Sequence, residues 1–244
     1  MKTALITGAS GGIGIATVKE FLQNGYFVIA QYNKNRESIE SLRKQLTKEQ
    51  NEMLFEISCD FNAQGETQKL YENITKSFKH IDVLVLNAGK ALYKLYTDTT
   101  TEEWDSLFNV NVKSAFILSK LFLPEMISRQ SGNIVFISSI WGNNGASMEA
   151  VYSATKASLI GLTKSLAKEV SFSKINVNCV CPGVVDTPMN ARLKKEEMEE
   201  IISQTPMGRT CRPEEVASLV YYLTTEKAKF ITGQTITIDG GFTL

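Results

Sequence analysis

The sequence predicts a doubly wound α/β fold, with about seven parallel strands in one sheet and helices on both faces. Short apolar runs rich in β-branched residues alternate with longer amphipathic runs along the whole chain, which is the pattern of strands joined by helical crossovers. Several short runs are almost continuously apolar, as expected for parallel strands covered on both faces. No repeat or linker-like segment interrupts the alternation, so residues 1–244 are predicted to form one domain.

The predicted elements follow one another in regular order. The strands are predicted at residues 3–7, 27–32, 53–59, 83–86, 133–138, 175–180 and 236–238. The helices are predicted at residues 13–24, 36–48, 65–78, 104–129, 152–170 and 213–224. Gly25 follows the first helix at a suitable C-cap position, and Pro213 opens the last one with Glu214 and Glu215 behind it; both features are typical of helix ends.

Residues 187–209 break this rhythm. They follow Pro182-Gly183, carry a charged stretch that predicts a short helix over 192–203, and return through Pro206-Met207-Gly208-Arg209. Long connections inside a compact domain often act as lids over active sites. The segment is therefore predicted to be a substrate lid, and the alternative is a surface excursion without a function.

Composition and charge narrow the class of protein. Hydrophobic residues make up 43% of the 244, and Lys+Arg and Asp+Glu balance at 26 each, so no overall field favours a nucleic acid or an anionic membrane. The N-terminus reads as a strand entering a turn, without the apolar core of a signal peptide. There is also no apolar run of the length that spans a bilayer. These features predict a cytoplasmic protein with neither a nucleic-acid nor a membrane partner.

The cysteines and the single histidine predict no metal site. Cys59, Cys179, Cys181 and Cys211 show neither a disulfide framework nor Cys-x-x-Cys spacing. One histidine supplies too few nitrogen ligands for an ordinary zinc site. The cysteines are interpreted as small buried apolar residues of a protein kept in a reducing compartment.

A glycine-rich turn, Thr7-Gly8-Ala9-Ser10-Gly11-Gly12-Ile13-Gly14, directly follows the first predicted strand and opens a helix. Glycine permits a tight turn and a close approach of the backbone to a pyrophosphate, and the helix N-terminus supplies N–H donors. The turn therefore predicts a dinucleotide site. Its spacing, Gly-x-x-x-Gly-x-Gly, differs from the more common Gly-x-Gly-x-x-Gly.

Further motifs carry a resemblance to the short-chain dehydrogenase/reductase family. They are Asn87-Ala88-Gly89, Ser139, Tyr152-x-x-x-Lys156, Pro182-Gly183 and Asp239-Gly240-Gly241. The resemblance covers nearly the whole chain and implies a Rossmann-type fold and an NAD(P)-dependent oxidoreductase acting on CH–OH or C=O groups. It implies a cofactor site at Gly8, Ser10, Gly12, Ile13, Gly14, Tyr32, Asn33, Lys34, Asp60, Phe61, Asn87, Ala88, Gly89, Tyr152, Lys156, Pro182, Gly183, Val185 and Thr187.

The end of the second strand predicts a preference for NADPH over NADH, without excluding NADH. A site that prefers NADH places a carboxylate there to bind the ribose 2′-hydroxyl. Here no acid occurs before Glu37, and Lys34 or Arg36 could pair with a 2′-phosphate. The alternative is that both cations are ordinary solvated charges.

Ser139, Tyr152 and Lys156 are predicted to catalyse the reaction. A free tyrosine has a pKa of about 10, and a nearby ammonium is expected to lower it and make Tyr152 a general acid. Lys156 lies one helical turn further on the same face, and the resemblance implies that it also binds the nicotinamide ribose. Ser139 is predicted to hold the substrate oxygen. Asn111 resembles the family asparagine that binds a water linking Lys156 to solvent, the alternative being a purely local backbone contact.

Within the family, the chain is most similar to bacterial 3-oxoacyl-[acyl-carrier-protein] reductases. The resemblance rests on its length and on Pro-Met-Gly-Arg at 206–209, Arg-Pro-Glu-Glu-Val at 212–216 and Ile-Thr-Gly-Gln at 231–234. It implies a carrier-bound substrate, with Arg129 and Lys174 as candidate carrier contacts. Each is displaced by one position from the family's usual arginine.

A second subgroup is also similar. Ser138-Ser139-Ile140-Trp141-Gly142, followed by Gly145-Ala146-Ser147-x-Glu149, resembles reductases that act on a 5-aminopentanone group of elongation factor P. Trp141 would then receive a cationic amine of a protein substrate; alternatively it is a packing residue in the loop after the fifth strand. Two further alternatives are a steroid or sugar alcohol dehydrogenase and a non-catalytic dinucleotide-binding regulator.

The helices at 104–129 and 152–170 predict oligomerisation. Both carry apolar residues over much of their surface, and a helix that is apolar nearly all round needs cover on both sides. The family resemblance implies a homotetramer with D₂ symmetry, in which these helices pack across a twofold axis.

Overall fold

The computed structural model describes residues 1–191 and 193–244 and shows a single sheet of seven parallel strands in the order β3-β2-β1-β4-β5-β6-β7. The strands are β1 Thr3–Ile6, β2 Phe27–Tyr32, β3 Leu54–Ser58, β4 Val83–Leu86, β5 Gly132–Ile137, β6 Ile175–Pro182 and β7 Thr235–Ile238. Helices lie on both faces of this sheet. The predicted fold class is confirmed.

The described helices agree with the sequence in most of their bounds. They are α1 Gly12–Gln23, α2 Glu37–Arg43, α3 Lys48–Glu52, α4 Glu66–Ser77, α5 Thr101–Phe108, α6 Ser114–Arg129, α7 Ile140–Asn144, α8 Ala150–Val170, α9 Lys195–Gln204 and α10 Pro213–Tyr222. The helix predicted at 36–48 ends early, at Arg43, and a separate short helix begins at Lys48, where Thr47 caps α3 through a reciprocal bond pair with Gln50. The helix predicted at 104–129 is interrupted by a π-helical turn at Asn109–Lys113.

Alternate strand residues feed two cores, one on each face of the sheet. In β1, Leu5 points into the core covered by α4, α6 and α8, whereas Ala4 and Ile6 point into the core covered by α1, α2 and α10. All three are fully buried. This explains the continuous apolar runs, since neither face of a central strand is left for solvent.

The sheet order reverses between β1 and β4, because β2 and β3 are added on one side of β1 and the chain then returns to add β4 on the other. A cleft forms at the carboxyl ends of strands where the order reverses in this way, and ligands of doubly wound folds bind there. The predicted site motifs at residues 7–14, 87–89 and 139 all follow strands directly. The topology therefore brings them to one edge of the sheet.

The 187–209 segment contains a short 3₁₀ turn, Pro188–Asn190, and the helix α9. The helix predicted at 192–203 begins at Lys195, and Arg192 lies outside the described residues. Among the described residues, no helix is both long enough and apolar enough to cross a membrane.

Candidate active site

The glycine-rich turn is held by the loop that follows β4. The side-chain amide of Asn87 donates to the carbonyl oxygens of Thr7 (2.9 Å) and Gly8 (3.1 Å). The Thr7 hydroxyl oxygen accepts from the backbone N–H groups of Asn87 and Ala88, both at 3.0 Å. Gly8 adopts a φ of +63°, which favours glycine. Two of the predicted cofactor motifs are therefore one hydrogen-bonded unit.

Two glycines in this turn leave no room for a side chain. A Cβ on Gly14 would lie 2.2 Å from the carbonyl oxygen of Gly8, and one on Gly12 would lie 2.5 Å from Cγ2 of Thr187. Thr187 belongs to the 187–209 segment, so that segment rests directly on the turn. A backbone exposed in this way at the start of α1 fits a pyrophosphate.

Gln31 is a site residue that the sequence does not reveal. It is 1% exposed, and its Oε1 accepts from the backbone N–H of Gly8 at 3.0 Å. Its Nε2 donates to the carbonyl oxygens of Tyr32 (2.8 Å) and Cys59 (2.9 Å). Gln31 thus ties the glycine turn to β2 and to the end of β3. Its only signal in the sequence is an amide inside an otherwise apolar strand.

A cavity of about 670 Å³ runs along this turn. Its lining includes most of the predicted cofactor residues, namely Gly8, Ser10, Gly12, Ile13, Gly14, Asn33, Asp60, Phe61, Asn87, Ala88, Gly89 and Thr187. Tyr32 and Lys34 are not part of the lining, and Pro182, Gly183 and Val185 line a second cavity instead. The shape and the backbone donors of the first cavity fit an extended dinucleotide.

Lys34 and Arg36, the two cations after β2, differ in their availability for a 2′-phosphate. Arg36 donates from Nε and Nη2 to the carboxylate of Glu56, at 3.2 and 3.1 Å, so it is already paired. The cavity wall at this point consists of Asn33, Asn35 and Ser38, which are uncharged. Lys34 lies exposed between these wall residues in the sequence.

Ser139, Tyr152 and Lys156 come together at the carboxyl end of β5, all buried. Ser139 caps α7 by accepting from the backbone N–H of Trp141 at 3.2 Å, and its hydroxyl bonds the Tyr152 hydroxyl. The Lys156 ammonium donates to the carbonyl oxygen of Ile137 at 2.8 Å and lies 5.6 Å from the centre of the Tyr152 ring. The spacing of four residues along α8 places both side chains on one face, as predicted.

The pKa values of this group differ from the prediction. Burial raises the pKa of Tyr152 to about 12, and the hydrogen bond from Ser139 only partly opposes that effect. Burial lowers the pKa of Lys156 to about 8. The expected lowering of the tyrosine pKa by the ammonium is therefore not seen, and removal from water is the largest cause of the opposite shift. At neutral pH Tyr152 is a hydroxyl donor and Lys156 is charged.

Asn111 lies in the π-helical turn, and its side chain bonds residues that are distant in the sequence. Its Nδ2 donates to the carbonyl oxygen of Lys90 and to the Thr155 hydroxyl, both at 3.0 Å, and its Oδ1 accepts from the backbone N–H of Lys90 at 2.9 Å. A Cβ on Gly89 would lie 3.3 Å from the Lys156 nitrogen and 3.6 Å from Oδ1 of Asn111. The extra residue of the π turn therefore aims Asn111 at the loop beside Lys156.

The second cavity, of about 520 Å³, opens beside Ser139 and Tyr152. It shares several wall residues with the first cavity, so the two form one cleft: Ile13, Ala91, Tyr93, Thr187 and Met189. Trp141 and Glu149 line the second cavity, and Glu149 is 7% exposed. Glu149 was not predicted as a site residue, although it belongs to the motif Gly145-Ala146-Ser147-x-Glu149.

Arg129 and Lys174 do not lie near the cleft. Arg129 donates to Asp82 Oδ1 at 3.0 Å and to the carbonyl oxygen of Ile81 at 2.9 Å, and it also pairs with Glu125. Lys174 directly precedes β6. Both occupy the edge of the sheet where strands begin, because α6 and α8 run back antiparallel to the strands. Within one chain the structure does not place them beside the cleft, and their role as carrier contacts stays a prediction.

Comparison with known proteins identifies the family of the chain. The family model described as "Enoyl-(Acyl carrier protein) reductase" matches residues 8–243. The chain is 39% identical over 241 residues to the "Uncharacterized oxidoreductase YmfI" of Bacillus subtilis, covering 99% of this chain and 98% of that protein. It is 37% identical over 246 residues to the 3-oxoacyl-[acyl-carrier-protein] reductase FabG of Thermotoga maritima, covering 100% and 98%.

The fold agrees equally well with a solved structure. The crystal structure of a short-chain dehydrogenase/reductase from Brucella melitensis, titled "Glucose/ribitol dehydrogenase", superposes with a TM-score of 0.90 at 30% identity. The match covers 100% of this chain and 97% of that one. The chain is related to these proteins along its whole length. It therefore belongs to the short-chain dehydrogenase/reductase family of NAD(P)-dependent oxidoreductases.

Proposed function

We propose that the protein reduces a carbonyl group to an alcohol with NADPH as the reductant. The observation that carries this proposal is the meeting of Ser139, Tyr152 and Lys156 beside the second cavity, which is continuous with the first. The first cavity has the backbone donors of a dinucleotide site. The second cavity, called the substrate cavity below, presents the Tyr152 hydroxyl to a second molecule. The solved short-chain dehydrogenase/reductase of Brucella melitensis has the same overall fold.

The roles of the three residues follow from their chemistry. A reduced nicotinamide dinucleotide supplies hydride when it is bound. Ser139 holds the carbonyl oxygen, and Tyr152 gives that oxygen its proton. The raised pKa of Tyr152 does not prevent this transfer, because an alkoxide is a stronger base than a phenolate. The Lys156 ammonium stabilises the negative charge left on Tyr152 until a proton from solvent restores the hydroxyl. Asn111 holds the loop beside Lys156 along which that proton can arrive.

The preference for NADPH rests on the charge around Asn33, Asn35 and Ser38. No carboxylate lines the cavity at that point, so nothing among the lining residues described there repels a 2′-phosphate, and Lys34 is within the same loop. Lys34→Glu is expected to lower the ratio of kcat/KM for NADPH over NADH about tenfold, because it replaces an attractive charge by a repulsive one. Lys44→Glu, at the far end of α2, is the control. An unchanged ratio would exclude Lys34 from cofactor selection.

The first candidate substrate is a 3-oxoacyl thioester, either carrier-bound or free. It is supported by the FabG relatives at 35 to 38% identity over nearly the whole chain. Oxidation of NADPH on addition of acetoacetyl-CoA tests it directly. The test also separates a working enzyme from a dinucleotide-binding regulator, which would bind NADPH without oxidising it, and from an alcohol dehydrogenase that turns over only sugar or steroid alcohols.

The second candidate is a carbonyl that also carries a cationic amine, such as the 5-aminopentanone group on elongation factor P. The observation that favours it is that the wall of the substrate cavity contains both a carboxylate, Glu149, and an aromatic ring, Trp141. Both kinds of group attract a cationic amine. Glu149→Gln is expected to raise KM for the modified protein about tenfold and to leave KM for acetoacetyl-CoA unchanged. Equal effects on both substrates would reject this candidate.

The setting in which we propose this reaction is a cytoplasmic homotetramer. All four cysteines are free thiols, which fits a reducing compartment. Exposed aromatic residues on the outer helices and loops, among them Phe116 and Phe172, provide apolar surface for subunit contacts. The 187–209 segment, resting on the glycine turn and lining both cavities, serves as the lid in this proposal.

A further inference from the structure

The chain ends in a compact turn at residues 239–244, next to the substrate cavity. Asp239 accepts three hydrogen bonds within it: from the N–H of Gly241 at 3.0 Å, and from the N–H and the hydroxyl of Thr243 at 2.9 and 2.6 Å. These bonds hold the pKa of Asp239 below its usual value although burial alone would raise it. The turn is therefore a fixed piece of structure and not a loose chain end.

One side of this turn packs on the end of the 187–209 segment. The carbonyl oxygen of Gly240 accepts from the N–H of Met207 at 3.1 Å. A Cβ on Gly240 would lie 2.9 Å from Cγ2 of Thr205, and one on Gly241 would lie 2.9 Å from Cγ of Pro206. The backbone of both glycines packs directly on these side chains, so the end of the segment and the C-terminal turn form one packed unit.

The other side of the turn packs on the wall of the substrate cavity. The rings of Phe242 and Trp141 lie 6.1 Å apart between centroids and nearly perpendicular, at 76°. Trp141 lines the cavity, and its backbone N–H donates to the Ser139 hydroxyl oxygen. Phe242 is thus one ring away from the cavity and does not line it.

We propose that Phe242 is a positioning residue that determines substrate specificity by holding Trp141 against the cavity. An edge-to-face aromatic pair restricts the orientation of both rings, and Phe242 packs on Trp141 from the C-terminal turn in this way. Because Met207 is bonded to Gly240, the same turn joins the Trp141 wall to the end of the segment that covers the cavity. This inference rests on the proposed function, since it requires the cavity to be the substrate site.

The test uses Phe242→Ala and Phe242→Leu, with Phe242→Tyr as the variant that keeps the ring. Leu244→Ala is the control, because Leu244 is fully exposed in the same turn. For whichever of acetoacetyl-CoA and aminopentanone-modified elongation factor P the wild type reduces, Ala and Leu are expected to raise KM about threefold to tenfold. The kcat and the Kd for NADPH are expected to change less than about twofold, and Tyr is expected to restore KM.

A second measurement does not depend on turnover. In a Trp104→Phe background Trp141 is the sole tryptophan, and acrylamide is expected to quench its emission more strongly in the Ala and Leu variants than in the Tyr and Leu244→Ala variants. If the wild type reduces neither substrate, the proposed function fails, whereas the quenching comparison still decides the position of Trp141. Unchanged quenching, or a fall in kcat with KM unchanged, would overturn the role of Phe242.

Discussion

Tyr152 and Lys156 show how burial sets the chemistry of a residue pair. Both side chains are buried, and desolvation favours the neutral form of each. The tyrosine therefore holds its proton up to a pKa of about 12, and the lysine gives up its proton near 8. The titration that matters in the physiological range belongs to the lysine.

This difference predicts the pH dependence of reduction. Below pH 8 Lys156 is an ammonium and Tyr152 a hydroxyl, so both are in the state that reduction needs; as the pH rises through about 8, the ammonium is lost first. The kcat/KM for the carbonyl substrate is expected to fall above pH 8, since it reports the pKa values of the free enzyme. Arginine keeps its charge at higher pH. The kcat/KM of Lys156→Arg should therefore show no fall near pH 8, even if its rate is lower at every pH. A fall of kcat/KM at the same pH in both enzymes would contradict the assignment of this titration to Lys156.

Gln31 predicts an effect on cofactor affinity. Gln31→Leu removes the acceptor of the Gly8 N–H and the donor to two carbonyl oxygens, and an unpaired buried polar group costs about 1 to 3 kcal/mol. The Kd for NADPH is expected to rise about tenfold or more as the glycine turn loosens, measured by fluorescence titration. Gln45→Ala, at an exposed position beyond α2, is the control. If both variants bind NADPH equally well, Gln31 has no role in the cofactor site.

The sequence predicted those site residues whose chemistry depends on local spacing. Tyr152 and Lys156 are one helical turn apart, so a helix alone brings them together. Gln31 and Glu149 were not predicted, because their importance arises from contacts between distant parts of the chain. The sequence could not place Arg129 relative to the cleft, because a position late in a helix gives no direction until the path of that helix is known.

Glu215 links two elements at the return of the 187–209 segment. Its carboxylate accepts from Nη2 of Arg209 at 2.6 Å and from the backbone N–H of Arg212 at 2.8 Å, at the start of α10. These bonds, the one from Arg209 first, lower the pKa of Glu215 to about 2. The carboxylate thereby fixes the end of the segment to the helix N-terminus.

This contact predicts a pH-dependent contribution to stability. Because the folded pKa is lowered, the stabilisation is fully present above the unfolded pKa of about 4.3 and is lost as the pH falls through about 2. Glu215→Gln is expected to lower the melting temperature at pH 7, and the difference from wild type should shrink between pH 4 and pH 2. Glu214→Gln, in the same helical turn, is the control. A difference that stays constant down to pH 2 would show that the charge of Glu215 does not contribute.

Element boundaries were predicted well where pattern and topology agree. The four-residue strand β4 is fully buried and reads as one apolar run, so its bounds were correct. The break between α2 and α3 was missed because Thr47 acts as a cap only once the chain bends there. The π turn at Asn109–Lys113 left no pattern, since one inserted residue changes the apolar spacing very little.

At the scale of the whole molecule, exposed apolar side chains predict association. Phe116 is 46% exposed on α6, and Phe172 and Phe230 are almost completely exposed. Light scattering at micromolar concentration is expected to give four times the 27.1 kDa chain mass. Phe116→Glu places a charge on the α6 surface and is expected to halve that mass, whereas Phe55→Glu, at the edge strand β3, should leave it unchanged. A monomeric wild type would contradict the tetramer.

The most direct test of the central claim is the oxidation of NADPH by wild type and by Tyr152→Phe, with acetoacetyl-CoA and aminopentanone-modified elongation factor P as substrates. The wild type is expected to oxidise NADPH with at least one of them. Tyr152→Phe should lose about 100- to 10,000-fold in kcat, because it lacks the proton donor, while its Kd for NADPH stays the same. A variant as active as the wild type would contradict the account.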